Sequence, residues 1–111
     1  MATFITTGNY TTDSVRGMVS NPDDRKESVG RLVEAAGAKL VHLYMTTGET
    51  DFLLITEADD GAVPVAAAMA AAAAGSISNV KTIRAWTSAE FKSIAEKAGA
   101  VAASYSAPGK S

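Results

Sequence analysis

Cysteine is absent from this 111-residue chain, and histidine occurs once, at His42. The first absence removes disulfides, thiolate metal sites and a cysteine nucleophile together, and fits a reducing compartment. The second leaves carboxylates as the other metal donors, and these fall mostly in turns and on solvated helix faces, so neither a metal nor a cofactor is expected. Lys and Arg total 10 and aromatics 6% of the residues, with no cluster in which the two interleave. At a formal charge of −2 there is no electrostatic footprint for nucleic acid or an anionic membrane as partner. The N-terminus, MATFITTGNY, has no basic region and no apolar run of signal-peptide length, and the most hydrophobic segment, Val63 to Ala74, is too short and too alanine-rich to span a membrane. A cytoplasmic setting is the expectation. Gly8 and Gly17 lack phosphate-loop spacing, and no serine stands in a Gly-x-Ser-x-Gly context.

What is present is enough for one domain with one core. Thr3 to Tyr10 is rich in β-branched and aromatic residues and reads as a first strand. Thr11 or Thr12 offers an N-cap for a helix carrying Val15, Met18 and Val19. Asn21-Pro22-Asp23-Asp24 interrupts that helix and can itself start one, with Asn21 as N-cap and Pro22 in the first turn, so the segment is one kinked helix or two short ones. Val29, Leu32, Val33 and Ala36 form a core-facing stripe that Gly37 ends. Lys39 to Glu57 is two apolar runs joined by Thr46-Thr47-Gly48-Glu49-Thr50-Asp51, a β-hairpin in which Gly48 supplies positive φ and Asp51 closes the turn. Asp59 or Asp60 caps the next helix, with Pro64 in its first turn. Its alanine run, marked only by Val65 and Met69, reads as a helix packed close to the sheet. Asn79 to Trp86 alternates as a fourth strand. Thr87 and Glu90 form a capping box for a short helix with Phe91, Ile94, Ala95 and Ala98 on one side.

The order β-α-β-β-α-β plus a helix predicts an α+β, ferredoxin-like sandwich over residues 1–99, with strands one and three central, followed by a tail over 100–111 that is flexible or docked on a neighbour. Strand alternation sorts the side chains into two faces. Val41, Leu43, Met45, Leu53, Ile55, Ile83 and Ala85 suit the helix-covered face. Leu40, His42, Tyr44, Thr46, Phe52, Leu54, Thr56, Thr82, Arg84 and Trp86, with Phe4 and Tyr10, fall on the helix-free face. Such a patch is rarely left bare, which predicts a homodimer or higher oligomer with a candidate small-molecule pocket between the sheets.

Several stretches together resemble the GYD-domain family of small bacterial proteins, whose namesake turn is Gly-x-Tyr-Asp. They are the opening MATFITTGNYT, the Asn21-Pro22 break, Ala36-Gly37 into Lys39-Leu40-Val41, the Tyr44 strand, Gly48-Glu49-Thr50-Asp51, and VKTIRAWTSAEF over 80–91. The resemblance covers most of the chain and implies the dimeric α/β-barrel form of the fold. It implies no activity. Thr50 stands where the motif has tyrosine, so no role of that ring carries over, while Gly48 and Asp51 match and have a turn-chemistry explanation.

The candidate chemistry lies on the hairpin strands. His42 and Tyr44 are the candidate catalytic pair, an acid/base and a second proton donor. A hydrogen-bonded interface histidine is the alternative. Phe52, Arg84 and Trp86 are candidate ligand contacts, Arg84 wanting an anion that a ligand carboxylate or an acidic residue of a second subunit would supply. Two functions follow: a homo-oligomeric binding or assembly module, or a cofactor-independent enzyme acting on a small aromatic or keto compound in a barrel cavity.

Overall fold

In the computed structural model, which describes residues 1–110, the chain opens with strand β1, Ala2–Tyr10. Helices α1 (Thr12–Ser20) and α2 (Arg25–Ala36) lead to strands β2 (Lys39–Met45) and β3 (Phe52–Ala58). Helix α3 (Ala62–Ala73) then returns the chain to β4 (Ile77–Ala85), and α4 (Ser88–Val101) follows. The strands form one antiparallel sheet in the order β2-β3-β1-β4. This is the α+β, ferredoxin-like arrangement, with strands one and three in the middle.

Local chemistry explains most of the boundaries. The Thr11 hydroxyl accepts from the Ser14 N–H at the start of α1, and the Gly37 and Ala38 N–H groups close α2 onto Glu34 and Val33. Asp60 accepts from the Ala62 N–H at the start of α3. Thr87 and Glu90 make the capping box of α4. The Asn21-Pro22 segment behaves differently from expectation. Asn21 ends α1, its N–H donating to Gly17, and the N-cap of α2 is Asp24, whose carboxylate accepts from Lys26. Two helices result because Pro22 sits between them and a carboxylate nearer to Arg25 takes the orphan donors.

The helix layer covers many of the side chains that strand alternation placed on the helix-free face, although His42 and Tyr44 do lie on that face. Phe4, Thr6, Phe52, Thr56 and Ala58 are buried beneath α2 and α3, and Phe4, Val33, Ala38 and Ala58 form the core with Leu40, Leu54 and Val63 packed against it. The helix-free face carries Ile5, Leu53, Ile55, Ile83 and Ala85 instead, as the pairings Ile5↔Ile55, Ile5↔Ile83 and Thr7↔Leu53 require. Part of the reason is a bulge in β2. Leu40 pairs with Thr56 but His42 pairs with Ile55, so Val41 is an extra residue and the facing of β2 inverts there. Leu40 and Leu43 thus share the covered face, while His42 and Tyr44 take the free one.

Two further features depart from expectation. In α3, Pro64 and Ala67 are buried while Val65 and Met69 are exposed, so the sheet-facing side of this helix is alanine. Helix α4 has no buried residue, and it runs past Gly99 to Val101 before a 3₁₀ turn at Ala102–Ser104. The expected tail from residue 100 therefore begins as helix; Ser111 lies outside the described residues. With α4 extended, the molecule measures 64 × 30 × 22 Å and has a radius of gyration of 18.2 Å, against about 13 Å for a compact chain of this length.

Candidate functional site

Alanine on the underside of α3 has a direct consequence. A helix and a sheet pack about 10 Å apart, and methyl groups do not fill that space. The result is a partly enclosed cavity of about 660 Å³ between the helices and the sheet, with Ala67, Ala71 and Ala74 as its roof. Phe52, Leu54 and Thr56 form part of its floor, and Arg25 and Asp23 stand at one side, joined by a 3.3 Å ion pair. Thr56 is 1% exposed, and its Oγ1 has no hydrogen-bond partner among the described residues. The neighbouring Thr6 hydroxyl is satisfied by Thr82 at 3.0 Å.

Tyr10 completes the wall, its ring centroid 5.3 Å from that of Phe52. Burial raises the Tyr10 phenol above its ordinary pKa; Arg25 opposes this, and the Asp51 and Asp23 carboxylates add to it. Asp51 also fixes the backbone here, since its Oδ2 accepts from the Tyr10 N–H at 2.8 Å and its own N–H donates to the Gly8 carbonyl at 2.8 Å. The Gly48-to-Asp51 turn is therefore a clamp on the end of the central strand as well as a hairpin closure. Gly48 adopts φ +99° there, a region costly for residues with a Cβ. Gly8 is needed for a different reason. A Cβ at Gly8 would lie 2.7 Å from Phe52 Cζ, so the aromatic wall of the cavity rests directly on bare backbone.

The sequence candidates are not brought together. His42 and Tyr44 stack at 5.8 Å on the exposed face of edge strand β2, and neither ring has a hydrogen-bond partner among the described residues. Phe52 is buried on the other face. Arg84 lies on the opposite edge strand, over the rings of Phe4 at 5.7 Å and Trp86 at 4.8 Å, and donates to the Thr3 and Ala85 carbonyls. These aromatic faces and carbonyl oxygens are favourable neighbours for a guanidinium within one chain. Two strands separate β2 from β4, roughly 14 Å at ordinary strand spacing, so His42 and Arg84 cannot act on one small molecule within one chain. Strand alternation overlooked the cavity. The available signal was the alanine run itself, set against a sheet with two phenylalanines.

Helix α4 is the other unfinished surface. Phe91, Ile94, Ala98 and Val101 recur at heptad-like spacing along it, and the three large ones are 38 to 56% exposed, while Tyr105 lies beyond the 3₁₀ turn in extended backbone and is 70% exposed. Trp86 meets Phe91 edge-on at 6.4 Å where the helix leaves the sheet.

No helix among the described residues is long and apolar enough to cross a membrane. A curated relative from Thermus thermophilus, the glutamine synthetase and cystathionine beta-lyase binding protein, is 34% identical over 77 residues, covering 69% of this chain and 81% of that protein. The family model for the GYD domain matches residues 4–95, from the first buried phenylalanine into α4. The chain belongs to the GYD-domain family.

Proposed function

We propose that this protein is a small cytoplasmic homodimeric binding module whose partners are other proteins, with metabolic enzymes as the partner class. The observation that carries the reading is the helix-free sheet face. Successive strands place His42, Ile55, Ile5 and Ile83 in one row, and Tyr44, Leu53 and Thr7 in the next. A flat aliphatic field on a sheet suits a second copy of itself, sheet against sheet. In that reading the stacked His42 and Tyr44 rings are interface contacts. The α4 arm stands clear of the sheet, with its apolar seam free to lie in a groove of a partner. The T. thermophilus relative, named for binding two enzymes, supports a protein as that partner.

The test has two arms. Sedimentation of the full chain is expected to give twice the 11.4 kDa of one copy, and Ile83→Asp is expected to halve it. A wild-type mass of one chain would overturn the dimer. Surface plasmon resonance against purified glutamine synthetase and cystathionine β-lyase is expected to show binding that Ile94→Asp abolishes while dimer mass is unchanged. Failure to bind either enzyme removes that partner class. An Ile94→Asp chain that sediments as a monomer assigns the arm to the second copy instead.

A further inference from the structure

We propose that mild acid separates the sheet-to-sheet dimer, with His42 as the group that responds. The inference rests on the dimer put forward above and names a regulation of that same interface. His42 belongs to the middle of three rows on the free face, together with Ile55, Ile5 and Ile83. Lys39 and Glu57 lie in one flanking row, Tyr44 and Lys81 in the other. Two sheets stacked with their strands aligned are related by a two-fold axis running either along the strands or across them. Both axes return the middle row onto the middle row. The first sets His42 over Ile83 of the second copy, and the second sets it over His42 of the second copy. The ring meets an aliphatic wall or its own like.

Burial disfavours the charged form of an imidazole, and two such rings face to face disfavour it further. The groups around His42 do not offset this. Tyr44, whose ring stacks on it at 5.8 Å, does so in the single chain and in the dimer alike, so its contribution cancels. Glu57 lies two residues along β3 from Ile55, roughly 7 Å away, and stands opposite Lys39. With β2 over β4, Lys81 of the second copy comes above Tyr44 and places another cation beside the ring. His42 is the only histidine of the chain, and histidine is the side chain whose charge ordinarily changes between about pH 5 and pH 8. As pH falls, the separated chains take up the proton before the dimer does. Dimer stability is therefore whole above about pH 7.5 and is lost through the region near 6.5 where an ordinary imidazole titrates.

Sedimentation equilibrium of the full-length protein at about pH 7.5 and about pH 5.5 reads the dimer dissociation constant. Each dimer holds two such rings, so the constant is expected to rise at least tenfold, and about 100-fold where only neutral rings fit the interface. His42→Gln keeps a polar side chain without a charge, and its constant is expected to stay within about threefold over the same range. The ring's own NMR titration in the wild type needs no variant. Its midpoint is expected to lie lower at protein concentrations well above the dissociation constant than well below it. Four results would overturn the inference and leave the dimer standing: a wild-type constant indifferent to pH, a dimer that tightens in acid, a His42→Gln dimer as acid-sensitive as the wild type, or equal ring midpoints. A single-chain mass at both pH values removes the dimer and this inference with it.

Discussion

The two faces of the sheet differ in a way that residue hydrophobicity alone would have reversed. The face beneath the helices holds threonine hydroxyls, a bare glycine and two phenylalanines, and it is incompletely filled. The free face holds isoleucine and leucine in register across neighbouring strands. Cover by the chain's own helices and aliphatic character are therefore separate properties here. The first reports how the single chain folds, and the second marks the surface that the proposed second copy would cover.

The comparison can be broken with one charge on each face. Val33, on α2, is 2% exposed against the covered face, so Val33→Asp buries a carboxylate without a partner. That is expected to cost more than about 4 kcal/mol, a large share of the roughly 5–15 kcal/mol that holds a domain folded. Ile83, on the free face, is 60% exposed, and Ile83→Asp is expected to cost the isolated chain about 1 kcal/mol or less. Urea unfolding at concentrations where the Ile83→Asp chain is monomeric compares the two. If both variants unfold alike, the free face is part of the fold and the distinction is lost. A smaller effect sharpens the covered side. Gly8→Ala drives a methyl into the Phe52 ring, 2.7 Å from Cζ, and is expected to destabilise by about 1–3 kcal/mol. Its near-neutrality in the same assay would mean that Phe52 swings freely into the cavity.

The sequence was legible wherever one residue and its neighbours decide the outcome. The capping box at Thr87 and Glu90, the Gly37 stop, the hairpin around Gly48 and the strand order all follow from local chemistry and right-handed crossovers, and all stand. Facing was not legible, because it depends on what lies across the sheet. One extra residue at Val41 places Leu40 and Leu43 on the same side, and no feature of the sequence KLVHLYM announces that bulge. The aliphatic set resembled a core, yet the core is Phe4 with Val33, Ala38 and Ala58. For the same reason the proposed site residues scattered. Expecting an anion at Arg84 rested on its charge and a half-buried sheet face, while its intrachain neighbour, the Phe4 ring, follows from the β1–β4 register. The cavity was invisible because it is a property of what α3 lacks.

The smallest expected effect concerns the dryness of the covered face. Tyr10 lines the cavity, and its phenol is raised chiefly by burial, with Asp51 and Asp23 adding to the shift and Arg25 opposing it. In the unfolded chain the same phenol ionises near its ordinary value of about 10. The unfolded state therefore loses its proton first as pH rises. The contribution of neutral Tyr10 to stability is whole below about pH 10 and is lost as pH climbs through the higher folded value. Tyr10→Phe removes this titration and keeps the ring against Phe52. Between about pH 9 and pH 11 the melting temperature of the wild type is expected to fall further than that of Tyr10→Phe, because the other tyrosines and the lysines are common to both chains. Parallel declines would mean that the Tyr10 hydroxyl is as well hydrated in the folded chain as in the unfolded one. The cavity would then be open water on that side, and the two faces of the sheet would differ in residue type alone.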